Sequence, residues 1–134
     1  MHIFHLYWPF HMYSRKPSTQ HIQTIKYFQN LYYDWLMPER RRLSQAYLGA
    51  LRALAEHHYA HLRYTRALEL LQRALRVDNL LEDLHCQAMR VYAALGDRAG
   101  LVRQYQELKD VLQDELEMEP LETTKQLYER LVQE

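Results

Sequence analysis

The stretch AMRVYAALGDRAGLVRQYQELKDVL, residues 88–112, decides the fold class of this protein. Apolar residues recur in it at steps of three and four, which is the spacing of one apolar face on a helix. Gly96 interrupts the pattern and suits the left-handed conformation in which many helices end. Because the same spacing resumes at Leu101, the stretch predicts two helices joined by a tight turn.

The same helical spacing extends over most of the chain. Pro38 and Glu39 favour the first turn of a helix, because proline has a suitable fixed φ and a carboxylate stabilises the positive helix N-terminus. Only three glycines and four prolines occur, which favours long helices over the many turns of a sheet. Five main helices are predicted, and the breaks between them fall at residues 61–65, 77–79, 96–97 and 120.

Two helical hairpins resemble each other at an offset of 33 residues. The offset pairs Leu51 with Leu84, Ala55 with Ala88, Tyr59 with Tyr92, Leu62 with Leu95, Leu68 with Leu101, and Leu75 with Leu108. A helix–turn–helix unit of this period is the signature of tetratricopeptide-like stacking. The predicted fold class is therefore all-α, a tetratricopeptide-like α-solenoid of stacked antiparallel helix hairpins.

The first 30 residues differ from the rest. They are rich in aromatic residues and histidine, and Pro9 and Pro17 interrupt any helix. We predict an irregular arm over residues 1–30, with a short helix starting near residue 20 as an alternative for its end, and a tetratricopeptide-like domain over residues 31–134. The aromatic side chains of the arm either pack on the domain or dock on another chain.

The chain has no excess of positive charge that would indicate general nucleic-acid binding, because 17 basic residues balance 17 acidic ones. The consecutive arginines Arg40, Arg41 and Arg42 point about 100° apart on a helix, so they cannot form one flat basic patch. Arg42 can instead reach Glu39 one turn away. Direct nucleic-acid binding by this chain is therefore not expected.

Residues 1–76 carry 11 basic and 4 acidic side chains, whereas residues 77–134 carry 6 and 13. This bipolar distribution can help to orient a partner or a second copy. No apolar run is long enough to span a membrane, and the single cysteine suits a reducing cytoplasm. We therefore expect a cytoplasmic location.

Enzymatic chemistry is not expected. His57 and His61 lie one helical turn apart, but no third zinc ligand follows at a recognisable spacing, and His58 falls on the apolar stripe. Cys86 and His85 are adjacent, and adjacent side chains on a helix diverge. We predict no catalytic, metal or cofactor-binding residue and no small-molecule substrate.

Recognition by a helical surface is the remaining class of function. Tyrosine and arginine side chains at the edges of helices suit contacts with proteins, although core packing explains at least half of the tyrosines. The candidate protein-interaction residues are Trp35, Arg40, Arg41, Arg63, Tyr64, Arg90, Arg103 and Tyr105.

Residues 31–132 resemble the bacterial transcriptional activator domain, the tetratricopeptide-like module of antibiotic-regulatory-protein type activators. The resemblance is carried by Trp35 with Glu39-Arg40 and Leu43, by residues 88–112, and by Glu115-Leu116 followed by Glu119-Pro120. Two positions near helix ends depart from the family pattern: Leu62-Arg63-Tyr64 lacks a common glycine, and Glu117 stands where glycine is usual. Residues 1–30 also do not resemble the winged-helix DNA-binding domain that usually precedes this module.

The resemblance implies a protein-interaction module of a bacterial transcriptional regulator. Such a module would support self-association, contact with the transcription machinery, or control of a DNA-binding domain. The alternative is a free-standing tetratricopeptide-like adaptor that is unrelated to transcription.

Overall fold

Five α-helices make up nearly all of residues 18–134, which are the residues that the computed structural model describes. They are α1 (Thr19–Ala60), α2 (Tyr64–Val77), α3 (Glu82–Leu95), α4 (Arg98–Leu116) and α5 (Glu122–Gln133). The described residues contain no strand, so the predicted all-α fold class is confirmed. The chain divides into two compact units between Arg42 and Leu43.

The second unit, residues 43–134, contains a core that the end of α1 shares with α2 and α3. Four alanines at the helix contacts, Ala55, Ala67, Ala74 and Ala88, are at most 2% exposed. Small side chains let neighbouring helices approach closely, as the predicted repeat requires. The larger side chains of this core are Leu48, Leu51, Leu70, Leu71, Leu75, Leu84 and Val91.

A second apolar cluster joins α3 to α4 and α5. Its buried members are Met89, Leu101 and Leu127, one from each helix. The two clusters therefore meet at α3, which contributes Leu84 to the first and Met89 to the second. This packing agrees with tetratricopeptide-like helix hairpins, whereas the curvature of an α-solenoid stays a prediction.

Two predicted helix boundaries have the expected chemistry. Gly96 ends α3 with a φ of 72°, in the left-handed region where glycine is least strained. The Asp97 carboxylate then accepts a hydrogen bond from the Gly100 backbone N–H at 2.9 Å and caps α4. At the earlier turn, Asp78 Oδ1 accepts a hydrogen bond from the Leu80 N–H at 3.0 Å, so the predicted turn at residues 77–79 is confirmed.

The start of α1 differs from the sequence prediction. Instead of beginning at Pro38, α1 begins at Thr19, and Pro38 lies inside it. Ser18 Oγ accepts a hydrogen bond from the His21 N–H at 3.3 Å, which satisfies one free donor at the helix start. Residues 19–30 are thus helical rather than irregular, while residues 1–17 lie outside the described residues and the boundary predicted at residue 30 stays a prediction.

None of the described helices combines the length and the apolar composition needed to cross a membrane.

Among residues 18–134, two residues other than glycine have a positive φ, and both lie in stretches where the resemblance leads us to expect a glycine. Leu62, at the end of α1, has a φ of 60°, and Glu117, at the end of α4, has a φ of 52°. The left-handed conformation costs an L-residue about 1–2 kcal/mol. Replacement by glycine removes this cost. Part of the resulting gain in stability is lost again, because glycine is more flexible in the unfolded chain.

Leu62→Gly and Glu117→Gly are therefore each expected to raise the free energy of unfolding by roughly 0.5–1 kcal/mol. Urea denaturation followed by far-UV circular dichroism measures the change. Leu54→Gly is the control, since Leu54 is an exposed leucine inside α1 without a positive φ. A gain of stability in the control as large as at Leu62 would contradict the conformational explanation.

Candidate interaction surface

A groove in the second unit has Arg90 of α3 at its centre. Arg90 lines three neighbouring depressions, one towards α1 and two towards α5. We call this surface the Arg90 groove, and its lining residues are Ala55, Glu56, Tyr59, Leu71, Cys86, Gln87, Arg90, Val91, Ala93, Ala94, Thr123, Thr124, Gln126, Leu127, Arg130, Leu131 and Glu134. Its apolar lining comes from packed side chains of α1, α2, α3 and α5, so a rigid scaffold carries the groove.

Two arginines of the groove lack an ion-pair partner within residues 18–134. The ion pairs found there are Arg42–Glu39, Arg52–Asp83, Arg66–Glu69 and Lys125–Glu119, and none includes Arg90 or Arg130. Both arginines are exposed, so their guanidinium groups are accessible to a ligand. Each can hold a carboxylate through two parallel hydrogen bonds.

Acidic side chains also border the groove. Glu56 lies at the α1 side and accepts a hydrogen bond from Gln87 Nε2 at 3.5 Å, and Glu134 lies at the α5 side. A strongly acidic ligand would therefore meet repulsion at both edges. The arrangement suits an apolar segment with one carboxylate near its middle.

Two of the predicted interaction residues, Arg90 and Tyr64, lie in or beside the groove, whereas Arg63 is not among its lining residues. Arg90 lines it, and Tyr64 packs edge-to-face on Tyr59 with ring centroids 5.4 Å apart. Arg63 is exposed, and its guanidinium lies 3.3 Å from His57 Nε2. Tyr64 is half-buried against the first core, so its main contribution is to hold the Tyr59 ring.

Two other predicted residues lie elsewhere in the second unit. Arg103 lines a separate depression between α2 and α4, beside Tyr92. Tyr105 stacks on Tyr128, with ring centroids 3.9 Å apart and planes 11° from parallel, and burial raises the pKa of its hydroxyl. The Tyr105 ring thus packs α4 against α5, as the core-packing alternative for the tyrosines predicts.

The remaining predicted residues, Trp35, Arg40 and Arg41, belong to the first unit and are all exposed, Trp35 to 78%. Their neighbour Arg42 donates hydrogen bonds to Glu39 Oε2 at 2.9 and 3.1 Å, so the predicted pair one turn apart is confirmed. Within the second unit, the structure does not bring the five candidate residues Arg63, Tyr64, Arg90, Arg103 and Tyr105 together on one surface.

The histidine cluster is held by local contacts. His61 Nδ1 lies 2.7 Å from the His57 carbonyl oxygen, and the two rings are 4.3 Å apart. Within residues 18–134, no group of three or more histidine, cysteine, aspartate or glutamate side chains is arranged to hold a metal ion. Burial, followed by repulsion from Arg63, lowers the pKa of His58 and favours its neutral form.

Cys86 and His85 diverge, as expected for neighbours on a helix. Burial raises the pKa of the Cys86 thiol, whose sulfur lies 3.5 Å from Thr124 Oγ1. His85 is fully buried, and its Nε2–H donates to the Asn79 carbonyl oxygen at 2.8 Å. Its Nδ1 accepts a hydrogen bond from Gln104 Nε2 at 2.7 Å, so the ring joins α3 to α4.

Sequence reasoning missed several groove residues, among them Tyr59, Leu127 and Arg130. Tyr59 could have been found, because the 33-residue offset aligns it with Tyr92 and places it on a helix edge. The α5 residues could not have been found in this way. The helix α4 has 19 residues, whereas its counterpart α2 has 14, so the 33-residue offset does not extend to α5.

The comparisons with known proteins identify a family. The family model described as bacterial transcriptional activator domain matches residues 23–132. The chain is also similar to the motility hub protein FimV of Pseudomonas aeruginosa, from strains PAO1 and UCBPP-PA14, with 40% identity over 57 residues, or 42% of this chain. The match covers only 6% of the length of those relatives. No solved structure matches this chain.

Proposed function

This chain belongs to the bacterial transcriptional activator domain family, and we propose that it is a protein-interaction module of a bacterial transcriptional regulator that recognises a protein segment in the Arg90 groove. The family match over residues 23–132 is the observation that carries this proposal. The segment would belong to the transcription machinery or to a DNA-binding domain. The module acts in the cytoplasm by recognition alone, without a catalytic step.

The groove supports recognition of an apolar segment with one acidic residue. Leu71, Val91 and Leu127 lie among its lining residues, and apolar side chains of a ligand would be removed from water against them. Arg90 would hold the carboxylate, and Arg130 offers a second position for it. An arginine at the centre of an apolar contact is a common site of large binding energy.

The three consecutive arginines near the middle of α1 do not support direct DNA binding. Arg42 is paired with Glu39, and Arg40 and Arg41 point in different directions around the helix. A partner that binds DNA would therefore supply the nucleic-acid contact.

A reporter assay in bacteria tests the proposal. The chain is fused to a well-characterised DNA-binding domain, and transcription is measured at a promoter that carries the operator of that domain. The fusion should change reporter output relative to the DNA-binding domain alone. Arg90→Glu combined with Arg130→Glu should abolish most of that change, because reversing the charge at a central arginine typically weakens binding by about tenfold or more.

Arg73→Glu is the matched control, since Arg73 is an exposed arginine of α2 that is not among the groove residues. Circular dichroism of each purified variant shows whether the fold is retained. An unchanged reporter output for the folded double variant would refute recognition through the groove.

The similarity to a motility hub protein favours a second candidate, a tetratricopeptide-like adaptor unrelated to transcription. Fluorescence anisotropy with synthetic peptides separates the two candidates. The peptides combine leucines with one central glutamate, lysine or glutamine. An adaptor would prefer the glutamate peptide and lose that preference in Arg90→Glu, yet leave the reporter unchanged.

A further inference from the structure

The first half of α1 exposes a regular apolar stripe. Every residue from Thr19 to Arg42 is exposed except Met37, which is half-buried. Steps of four and three residues alternate along one face, and we call these residues the α1 stripe: His21, Ile25, Phe28, Tyr32, Trp35 and Glu39. This alternation is the heptad spacing by which two helices pack along a common seam.

The positions of the stripe are spaced symmetrically around residue 30. An antiparallel copy would place Ile25 against Trp35, and Phe28 against Tyr32, twice by symmetry. The ends of the stripe would place His21 of one copy beside Glu39 of the other. We propose that the α1 stripe joins two copies of this chain as an antiparallel, two-fold symmetric helix pair. This proposal goes beyond the function assigned to the Arg90 groove and does not depend on it.

The polar ends of the stripe favour this pairing. His21 Nδ1 lies 2.8 Å from Ser18 Oγ, and no hydrogen bond uses His21 Nε2 within residues 18–134. Arg42 approaches Glu39 only at Oε2, so Oε1 has no partner among the described residues. His21 Nε2 and Glu39 Oε1 can therefore bond to each other across the pair, at both ends of the seam.

A parallel pair lacks this complementarity. It would place Glu39 beside Glu39 and His21 beside His21, and like charges directly opposite each other weaken the pairing. The symmetry of an antiparallel pair also closes after two copies, because both chains use the same surface.

The exposed area of the stripe reaches what a small specific interface requires. Ile25, Phe28, Tyr32 and Trp35 are 51%, 63%, 49% and 78% exposed, and Leu31 and Leu36 flank them at 37% and 42%. An aromatic side chain buries about 150–250 Å² in full. Two copies of the stripe would thus bury roughly 1,000–1,200 Å², at the lower end of specific interfaces, and the expected dissociation constant is of the order of micromolar.

A charge exchange tests the antiparallel arrangement. Sedimentation equilibrium of the full chain between micromolar and several hundred micromolar concentrations should show a reversible dimer. His21→Glu and Glu39→Lys should each weaken the dimer by about tenfold or more, because each places like charges or an unpaired charge at both ends. The dimer dissociation constant of the double variant should lie within about threefold of that of the original chain, because the introduced side chains again attract each other across the pair.

Lys26→Glu is the control and should leave the dimer unchanged, since Lys26 lies outside the stripe. A strict monomer would overturn the proposal. The proposal would also be overturned if the double variant dimerised as weakly as the weaker single variant, because that is the result expected of a parallel pair. Co-sedimentation of the monomer with phosphatidylglycerol vesicles would assign the stripe to a membrane surface instead. Failure of the dimer would not alter the reporter assay with Arg90→Glu, because the groove lies in residues 43–134.

Discussion

Leu84→Ala is expected to lower the free energy of unfolding by about 3 kcal/mol, within the roughly 2–5 kcal/mol range for leucine-to-alanine changes in a packed core. Leu84 has no exposed surface and belongs to the core that α3 shares with α1 and α2. Removing its side chain loses apolar burial and leaves a cavity. Urea denaturation followed by circular dichroism should show a lower midpoint at an unchanged slope.

Leu95→Ala provides the matched control. Leu95 lies at the end of the same helix but is 42% exposed, so the same change removes less packing. Its effect should stay below about 1 kcal/mol. Equal losses at the two positions would mean that helix propensity, and not the core, determines the result.

His85→Leu is the second large expected effect, a loss of roughly 2–3 kcal/mol. The imidazole bonds to the Asn79 carbonyl oxygen and to Gln104, which is only 5% exposed. A leucine at position 85 fills similar space, but it leaves the Gln104 amide buried without this partner. Leaving a buried polar group unsatisfied costs more than the net contribution of the bond itself.

A double-mutant cycle separates this cause from a general loss of packing. Gln104→Leu alone should also destabilise the protein, because it leaves His85 Nδ1 without its donor. The double variant should lose less stability than the sum of the two single losses, by about 1 kcal/mol or more, since it removes both members of the buried pair. Strict additivity of the two losses would show that the residues act independently.

The sequence predicted the elements of the second unit because their signals are local. The Gly96 cap, the Asp78 turn and the 33-residue offset each depend on a few neighbouring residues, and the helix ends appear where those residues lie. The predicted start of α1 was wrong because a proline such as Pro38 can lie either at the start of a helix or inside it. Proline favours the first turn of a helix, but a long helix can also continue through it with the loss of one backbone hydrogen bond.

The lining of the Arg90 groove was predicted less well than the fold. Residue type alone selected tyrosines and arginines, which include Arg90 of the groove but also Tyr105, whose ring is stacked on Tyr128. Whether such a side chain packs or faces a partner depends on the rotation of each helix against its neighbours. For α5, that rotation follows from contacts of Met89 and Leu127 that no sequence spacing specifies.

The two faces of α3 have a consequence for how the second unit unfolds. Helical repeats often behave as a row of separable blocks, each stabilised by its nearest neighbours. Here Leu84 and Met89 anchor the same helix in both apolar clusters, so losing α3 removes the support of the blocks on either side. Residues 43–134 should therefore unfold in one cooperative transition rather than one repeat at a time. A ligand bound in the Arg90 groove would then stabilise the whole unit against unfolding.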